Sequence, residues 1–271
     1  MSVTVARVDG PNGRFYNVDG ELFPSVTHIL TAINKPALVP WAAKVERETC
    51  TAAAAALYAE LDATRQKFPA SWYLAELQKR LGTVKAHQRT MEKAGDIGGE
   101  AHRAIEWILR TAIGAEAGAQ PFVSAPAAIA VQAFKTWAVS VQLKPVLIER
   151  IVYSKTHRYA GTIDLLARVR GVLTMVSLKT GKAIYAEAFL QEAGYSAALV
   201  EMGYREPEAA IVIRLPKLAT DPGFEVVDVP DRAALFPVFL ATRALWEWTH
   251  AQEQAFRSRQ RTPAAVRSAV A

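Results

Sequence analysis

Residues 3–30, VTVARVDGPNGRFYNVDGELFPSVTHIL, alternate apolar and polar positions, with breaks at Pro11-Asn12-Gly13 and Asp19-Gly20. Alternation of period two broken by such turn residues predicts β-hairpins. Pro24-Ser25-Val26-Thr27 then leads into Ile29 and Leu30, a helix start with Ser25 or Thr27 as its cap. From Trp41 to about Leu61 the chain is Ala-rich and free of breakers, which predicts a helix. Pro69 separates it from a second helix, Trp72 to Leu81, and a third runs from about Val84 to Ala112, interrupted at Gly95 and at Gly98-Gly99. Its second half places Ala101, Ile105, Ile108 and Leu109 on one face. GAEAGAQPFVSAP reads as a loop, and Ala127 to Leu143 as another helix.

The pattern then changes to short runs of Val, Ile, Leu and Tyr: Val146 to Ser154, Tyr159 to Val169 and Val172 to Lys179, broken at Thr156-His157 and Arg170-Gly171. These predict three consecutive strands, the last two joined by a tight hairpin. Ala183 to Gly203 reads as a helix, Ala209 to Leu215 and Phe224 to Val229 as strands, and Asp231 to about Phe256 as a final helix. The order predicts an α/β fold whose sheet contains hairpins rather than a wholly parallel doubly wound sheet. No linker divides residues 1–256, so they read as one domain: a hairpin and helical part (1–143), a core (144–229) and a C-terminal helix (230–256). Residues 257–271 read as a basic flexible tail, with four Arg and no acid.

Composition narrows the class. With 271 residues, 51% of them hydrophobic and 21% charged, the chain can bury roughly 75% of its unfolded surface and needs no disulfide or structural metal to fold. Cys50 is the single cysteine, which excludes an intramolecular disulfide, a thiolate zinc site and an iron–sulfur cluster. No run reaches the ~18–20 apolar residues of a membrane span, and the N-terminus lacks a secretory pattern, so the expectation is a cytoplasmic protein without a membrane partner. Thirty-two Lys and Arg against 26 Asp and Glu give a net charge of +6, compatible with an anionic partner such as nucleic acid but weak on its own.

Four patterns then fall in order: Gly98-x-x-x-His102 on a helix, Gly161-Thr162-Ile163-Asp164 on the second strand, Ser177-Leu178-Lys179-Thr180-Gly181-Lys182 ending the third, and Gln191-x-x-x-Tyr195 on the next helix. Together they resemble the RecB-like branch of the PD-(D/E)XK nuclease superfamily, which includes phage exonucleases, recombination helicase–nucleases and CRISPR-associated nucleases. PSVTHIL, Lys35-Pro36-Ala37-Leu38 and Trp41-Ala42 are similar to the opening of single-strand exonucleases of that superfamily. The resemblance spans roughly residues 16 to 215. It implies a restriction-endonuclease-like core, a mixed central sheet flanked by helices with a helical N-terminal extension, and Mg²⁺- or Mn²⁺-dependent cleavage of DNA from an end and on single strands. It also implies that His102, Asp164, position 177 and the Leu178 carbonyl hold the metal, that Lys179 assists the attacking water or the phosphate, and that Gln191, Tyr195 and Lys182 meet DNA. Relatives act beside a helicase, recombinase or integration partner, so a partner protein of that kind is implied too.

Independent of the resemblance, Ser177 and Lys179 share a strand face, Leu178 points inward between them, and Asp164 can reach the same spot from the neighbouring strand. Lys179-Thr180-Gly181-Lys182 is not a P-loop, because the earlier glycine is missing. Ser177 departs from the family pattern, where a carboxylate is expected, and the ligand set thereby loses one negative charge. Three readings follow: an engineered inactivating substitution, a natural enzyme whose missing acid comes from elsewhere, or a catalytically inactive DNA-end-binding protein that keeps the fold. Glu149, on the first strand of the core, and Glu187, early in the next helix, are the candidate substitutes, Glu149 the stronger. Taken singly, each residue also has a plainer role: His102 as a hydrogen-bonded histidine, Asp164 in a salt bridge to Lys179, Lys182 as a solvated turn, Gln191 and Tyr195 as a helix surface. His28, His87, His157 and His250 show no spacing that suggests a site, and Trp246 and Trp248 read as packing residues.

Overall fold

The alternation near the N-terminus closes into a three-stranded antiparallel sheet, β1 (Val5–Gly10), β2 (Gly13–Val18) and β3 (Glu21–Pro24), in the computed structural model, which describes residues 3–10 and 13–261. Asp19 and Gly20 take φ of 51° and 90°, the left-handed pair that a two-residue hairpin needs. Pro11 and Asn12, read as the other turn, lie outside the described residues, although Gly10 pairs with Gly13 across them. Tyr16, Val18 and Phe23 are buried, and the Tyr16 hydroxyl meets Thr162 Oγ1 at 2.8 Å. Ser25 rather than Thr27 caps α1 (Val26–Ile29): its hydroxyl accepts from the His28 N–H at 3.0 Å. A short 3-10 turn, Leu30–Ala32, follows.

Next come α2 (Leu38–Thr64), α3 (Ala70–Leu81) and α4 (Ala86–Ala112). Gly95, Gly98 and Gly99 do not interrupt α4, since a glycine costs only about 1 kcal/mol in a helix and its flanks are strong helix formers. The chain, read from sequence as one domain, groups into two compact units: Asn34–Gly99, and Met1–Ile33 with Glu100–Ala271 so far as these are described. The boundary falls inside α4, a continuous helix, so no Pro- or Gly-rich linker marks it. Within Asn34–Gly99, Arg80 makes a two-pronged contact with Glu60 at 2.8 and 2.6 Å, and Glu46 accepts from the His87 backbone N–H at 3.1 Å.

The other unit continues with α5 (Ala125–Ser140) and a five-stranded sheet of β4 (Lys144–Ser154), β5 (Tyr159–Val169), β6 (Val172–Lys179), β7 (Ala209–Arg214) and β8 (Glu225–Asp228), in spatial order of sequence. Neighbours are antiparallel except β6 and β7, which run parallel. A parallel pair needs a long crossover, and α6 (Glu187–Glu201) supplies it. The sheet is thus mixed and flanked by helices. Ala101, Ile105 and Leu109 of α4 are buried, while Ile108 is half-buried.

The last helix, α7 (Arg232–Arg261), runs beyond Phe256, so residues 257–261 of the expected tail are helical and 262–271 lie outside the described residues. Trp246 is buried against Phe15, His28 and His250, whereas Trp248 is exposed, because positions two apart on a helix face away from each other. No helix among the described residues is long and apolar enough to cross a membrane.

Gly161 on β5 sets how closely α6 approaches the sheet. A Cβ at this position would lie 2.3 Å from Cε1 of Tyr195, whose ring is only 4% exposed. Gly161→Ala is therefore expected to destabilise the protein by about 1–3 kcal/mol in urea unfolding, and an unchanged midpoint would show that the ring moves freely.

Candidate metal centre

The register of β4 on β5, with Ile148 opposite Leu165 and Arg150 opposite Ile163, sets Glu149 opposite Asp164. Ile163 and Leu165 are fully buried, and the strand's alternation turns Asp164 to the other face. Glu149 has φ of 46°, a left-handed value rare for a non-glycine residue in mid-strand, which breaks the pleat there. From α4, His102 Nδ1 lies 3.6 Å from Asp164 Oδ1 and 3.9 Å from Glu149 Oε1. One ligand atom from each of the three lies within 4.8 Å of the others, so His102, Glu149 and Asp164 form a cluster that could hold a metal ion.

Asp164 is fixed from behind. Its Oδ2 accepts the Leu178 N–H at 2.7 Å and the Ser177 hydroxyl at 3.4 Å, which leaves Oδ1 facing His102. The Leu178 side chain is buried as expected, and its backbone N–H is hydrogen-bonded to Asp164. Lys179, at the end of β6, donates to Gln191 Oε1 at 3.0 Å. Its plainer reading as the salt-bridge partner of Asp164 is not what the structure shows, since its ammonium is held by the amide of α6.

Sequence reasoning passed over Glu192. It is 1% exposed, and neither carboxylate oxygen has a hydrogen-bond partner among the described residues. Burial pushes its carboxyl up to about 8, the Lys179 ammonium and the Ser177 hydroxyl pull against that, and the charge of Asp164 adds to it. A buried carboxyl raised that far is protonated at neutral pH, which avoids the cost of several kcal/mol that an ionised buried group carries; a cation bound beside it would draw off that proton. The signal was present: Gln191 and Glu192 are adjacent polar residues in the apolar helix AFLQEAGYSAALV. Glu187, weighed as a substitute acid, is half-buried in the first turn of α6 and lies outside the three-residue cluster.

The remaining expectations divide. Gln191 is at the site but faces Lys179, with 7% exposure. Tyr195 was expected to grip DNA; its ring instead packs on Gly161, and burial raises its phenol well above the ordinary range. Lys182 is exposed in the turn after β6.

The charges of the cluster couple it to pH. Burial disfavours the His102 imidazolium, but the carboxylates of Asp164 and Glu149 outweigh burial and raise its pKa. Burial likewise raises Glu149, more than His102 lowers it. Protonated His102 thus stabilises the metal-free protein below the ordinary histidine range, and that stabilisation is lost as pH rises through the raised value. Metal ligation needs the neutral ring, so binding must release its proton. Mn²⁺ titration calorimetry is expected to give tighter binding at pH 8 than at pH 6, with proton release visible as a buffer-dependent heat. Equal affinities and no buffer dependence would remove His102 from the ligand set.

The donor set of two carboxylates and one imidazole could hold a metal ion, with the Glu192 carboxyl buried nearby. No family model and no curated protein matches the chain.

Proposed function

We propose that this protein is a Mg²⁺- or Mn²⁺-dependent deoxyribonuclease that hydrolyses phosphodiester bonds as an exonuclease on single-stranded or end-containing DNA. The observation that carries the reading is the meeting of His102, Glu149 and Asp164 at one point, reached in sequence from a helix and two adjoining strands. The resemblance to PD-(D/E)XK nucleases supports it, since two of those residues are ones it singles out. His102, Glu149 and Asp164 would hold the ion. Bound there, a divalent ion supplies charge neutralisation at a non-bridging phosphate oxygen and lowers the pKa of water.

The chain's own residues supply the rest. The Leu178 N–H fixes the carboxylate plane of Asp164. Gln191 Oε1 holds the Lys179 ammonium, so that its remaining N–H donors are oriented to meet a phosphate oxygen as charge develops in the transition state. Glu192, outside the three-residue cluster but within electrostatic reach of Asp164, would supply the acid that Ser177 lacks once an ion draws off its proton, from the helix behind the strand rather than from the strand itself. That favours the second of the three readings of Ser177, a natural enzyme whose missing acid comes from elsewhere. Ser177 itself favours the contrasting function, a DNA-end-binding protein that does not cut.

End-labelled single-stranded and duplex DNA, incubated with Mn²⁺ or Mg²⁺, separates the two. Shortening of the labelled strand that EDTA abolishes is expected. DNA that is bound yet left intact at saturating metal would overturn the nuclease reading in favour of the binder.

A further inference from the structure

We infer that a hollow between α2 and α3 seats unpaired nucleobases, which deepens the DNA reading above and rests on it. The hollow measures about 610 Å³ and is walled by Tyr58, Phe68 and Tyr73. Beside it Trp72 stacks on Phe68, with ring centroids 4.4 Å apart and planes 27° from parallel, yet Trp72 stays 40% exposed and Tyr58 66% exposed. Rings of this kind left in water are costly surface, and unpaired bases cover them well because every base has a π face. The wall is held in place before any ligand arrives: the Tyr73 hydroxyl donates to the Ala54 carbonyl at 3.0 Å and ties α3 to α2.

Charge identifies the occupant. Arg65, which lines the hollow at the end of α2, and Lys67, in the connection to α3, make no ion pair among the described residues, so both charges are open to an anion. Two cations beside exposed aromatic rings match a strand whose phosphates run along the rim while its bases turn inward. Asp62 is the one carboxylate in the wall. It repels phosphate from the hollow and can accept from base N–H groups, the thymine N3–H among them, which enforces that same orientation. Across residues 34–99, ten Lys and Arg face seven Asp and Glu, so the unit as a whole attracts a polyanion.

The test is fluorescence anisotropy of the full chain in EDTA with labelled oligothymidine and with an abasic oligomer of equal length and charge. The wild-type protein is expected to bind oligothymidine at least about tenfold more tightly, as one or two stacked bases would give. Tyr58→Ala with Trp72→Ala should abolish that preference while leaving abasic binding unchanged, and Trp72→Phe, which keeps a ring, should retain most of it. Equal affinity of the wild-type chain for the two oligomers would overturn the inference. A preference that survives the double substitution would overturn it as well. Because EDTA silences the metal cluster, this result stands apart from whether the protein cleaves DNA.

Discussion

Asp164→Asn is expected to lower metal-dependent DNA cleavage by about a thousandfold or more, while the protein stays folded. Asp164 is the residue on which the cluster converges: Oδ1 faces His102 at 3.6 Å and Oδ2 accepts the Leu178 N–H at 2.7 Å. Asparagine keeps an oxygen for that N–H, so β5 and β6 need not rearrange, but the negative charge that balances the ion is gone. A lost ligand charge at a metal site costs several kcal/mol of transition-state stabilisation, and about 4 kcal/mol corresponds to a thousandfold. Single-turnover cleavage of an end-labelled oligonucleotide reads the effect, and far-ultraviolet circular dichroism confirms the fold. A variant that cuts within tenfold of wild type would place the chemistry elsewhere.

The second large effect concerns the displaced acid. Glu192→Gln is expected to lose about 10²–10³ in cleavage rate, the loss typical of removing one preorganised electrostatic group. The same change should raise stability. Burial lifts the Glu192 carboxyl to about 8, so the protonated form stabilises the fold fully below the ordinary carboxylate range, and that contribution is lost as pH rises towards 8. Above pH 8 the wild type therefore carries an ionised buried carboxylate, whereas the glutamine variant carries none, and its urea midpoint should be the higher. Ser177→Asp alone adds a third carboxylate beside Asp164 and Glu192, and the mutual repulsion should weaken folding without improving cleavage. Ser177→Asp combined with Glu192→Gln moves the acid back to the strand and should recover part of the lost activity. Losses that simply add in the double variant would show that the two positions do not exchange roles.

Much of this arrangement was legible because strands advertise themselves locally. Asp164 stands out in YAGTIDLLARV as a carboxylate in an apolar strand, and Ser177 and Lys179 share a face of β6 by strand period alone. Glu149 was weighed only as a substitute, since its place opposite Asp164 depends on the register of β4, which period two leaves open by whole pairs. Helices conceal more. The i, i+4 spacing correctly places Gln191 and Tyr195 on neighbouring turns of α6, but it is silent on whether that face meets solvent or the sheet, and Gly161 decides the matter by admitting the Tyr195 ring. Glu192 escaped notice for the same reason: α6 is buried almost all round, so amphipathic periodicity gives no inner face from which to recognise an inward acid. The division within α4 was not legible, because a unit boundary inside an unbroken helix leaves no trace in composition.

Anomalous scattering from crystals grown with MnCl₂ bears most directly on the metal centre. The expected result is a manganese peak within coordination distance of His102, Glu149 and Asp164, lost in Asp164→Asn crystals grown under the same conditions. Manganese bound elsewhere, or no peak there in crystals of a protein that still cleaves DNA in the same MnCl₂ solution, would contradict it.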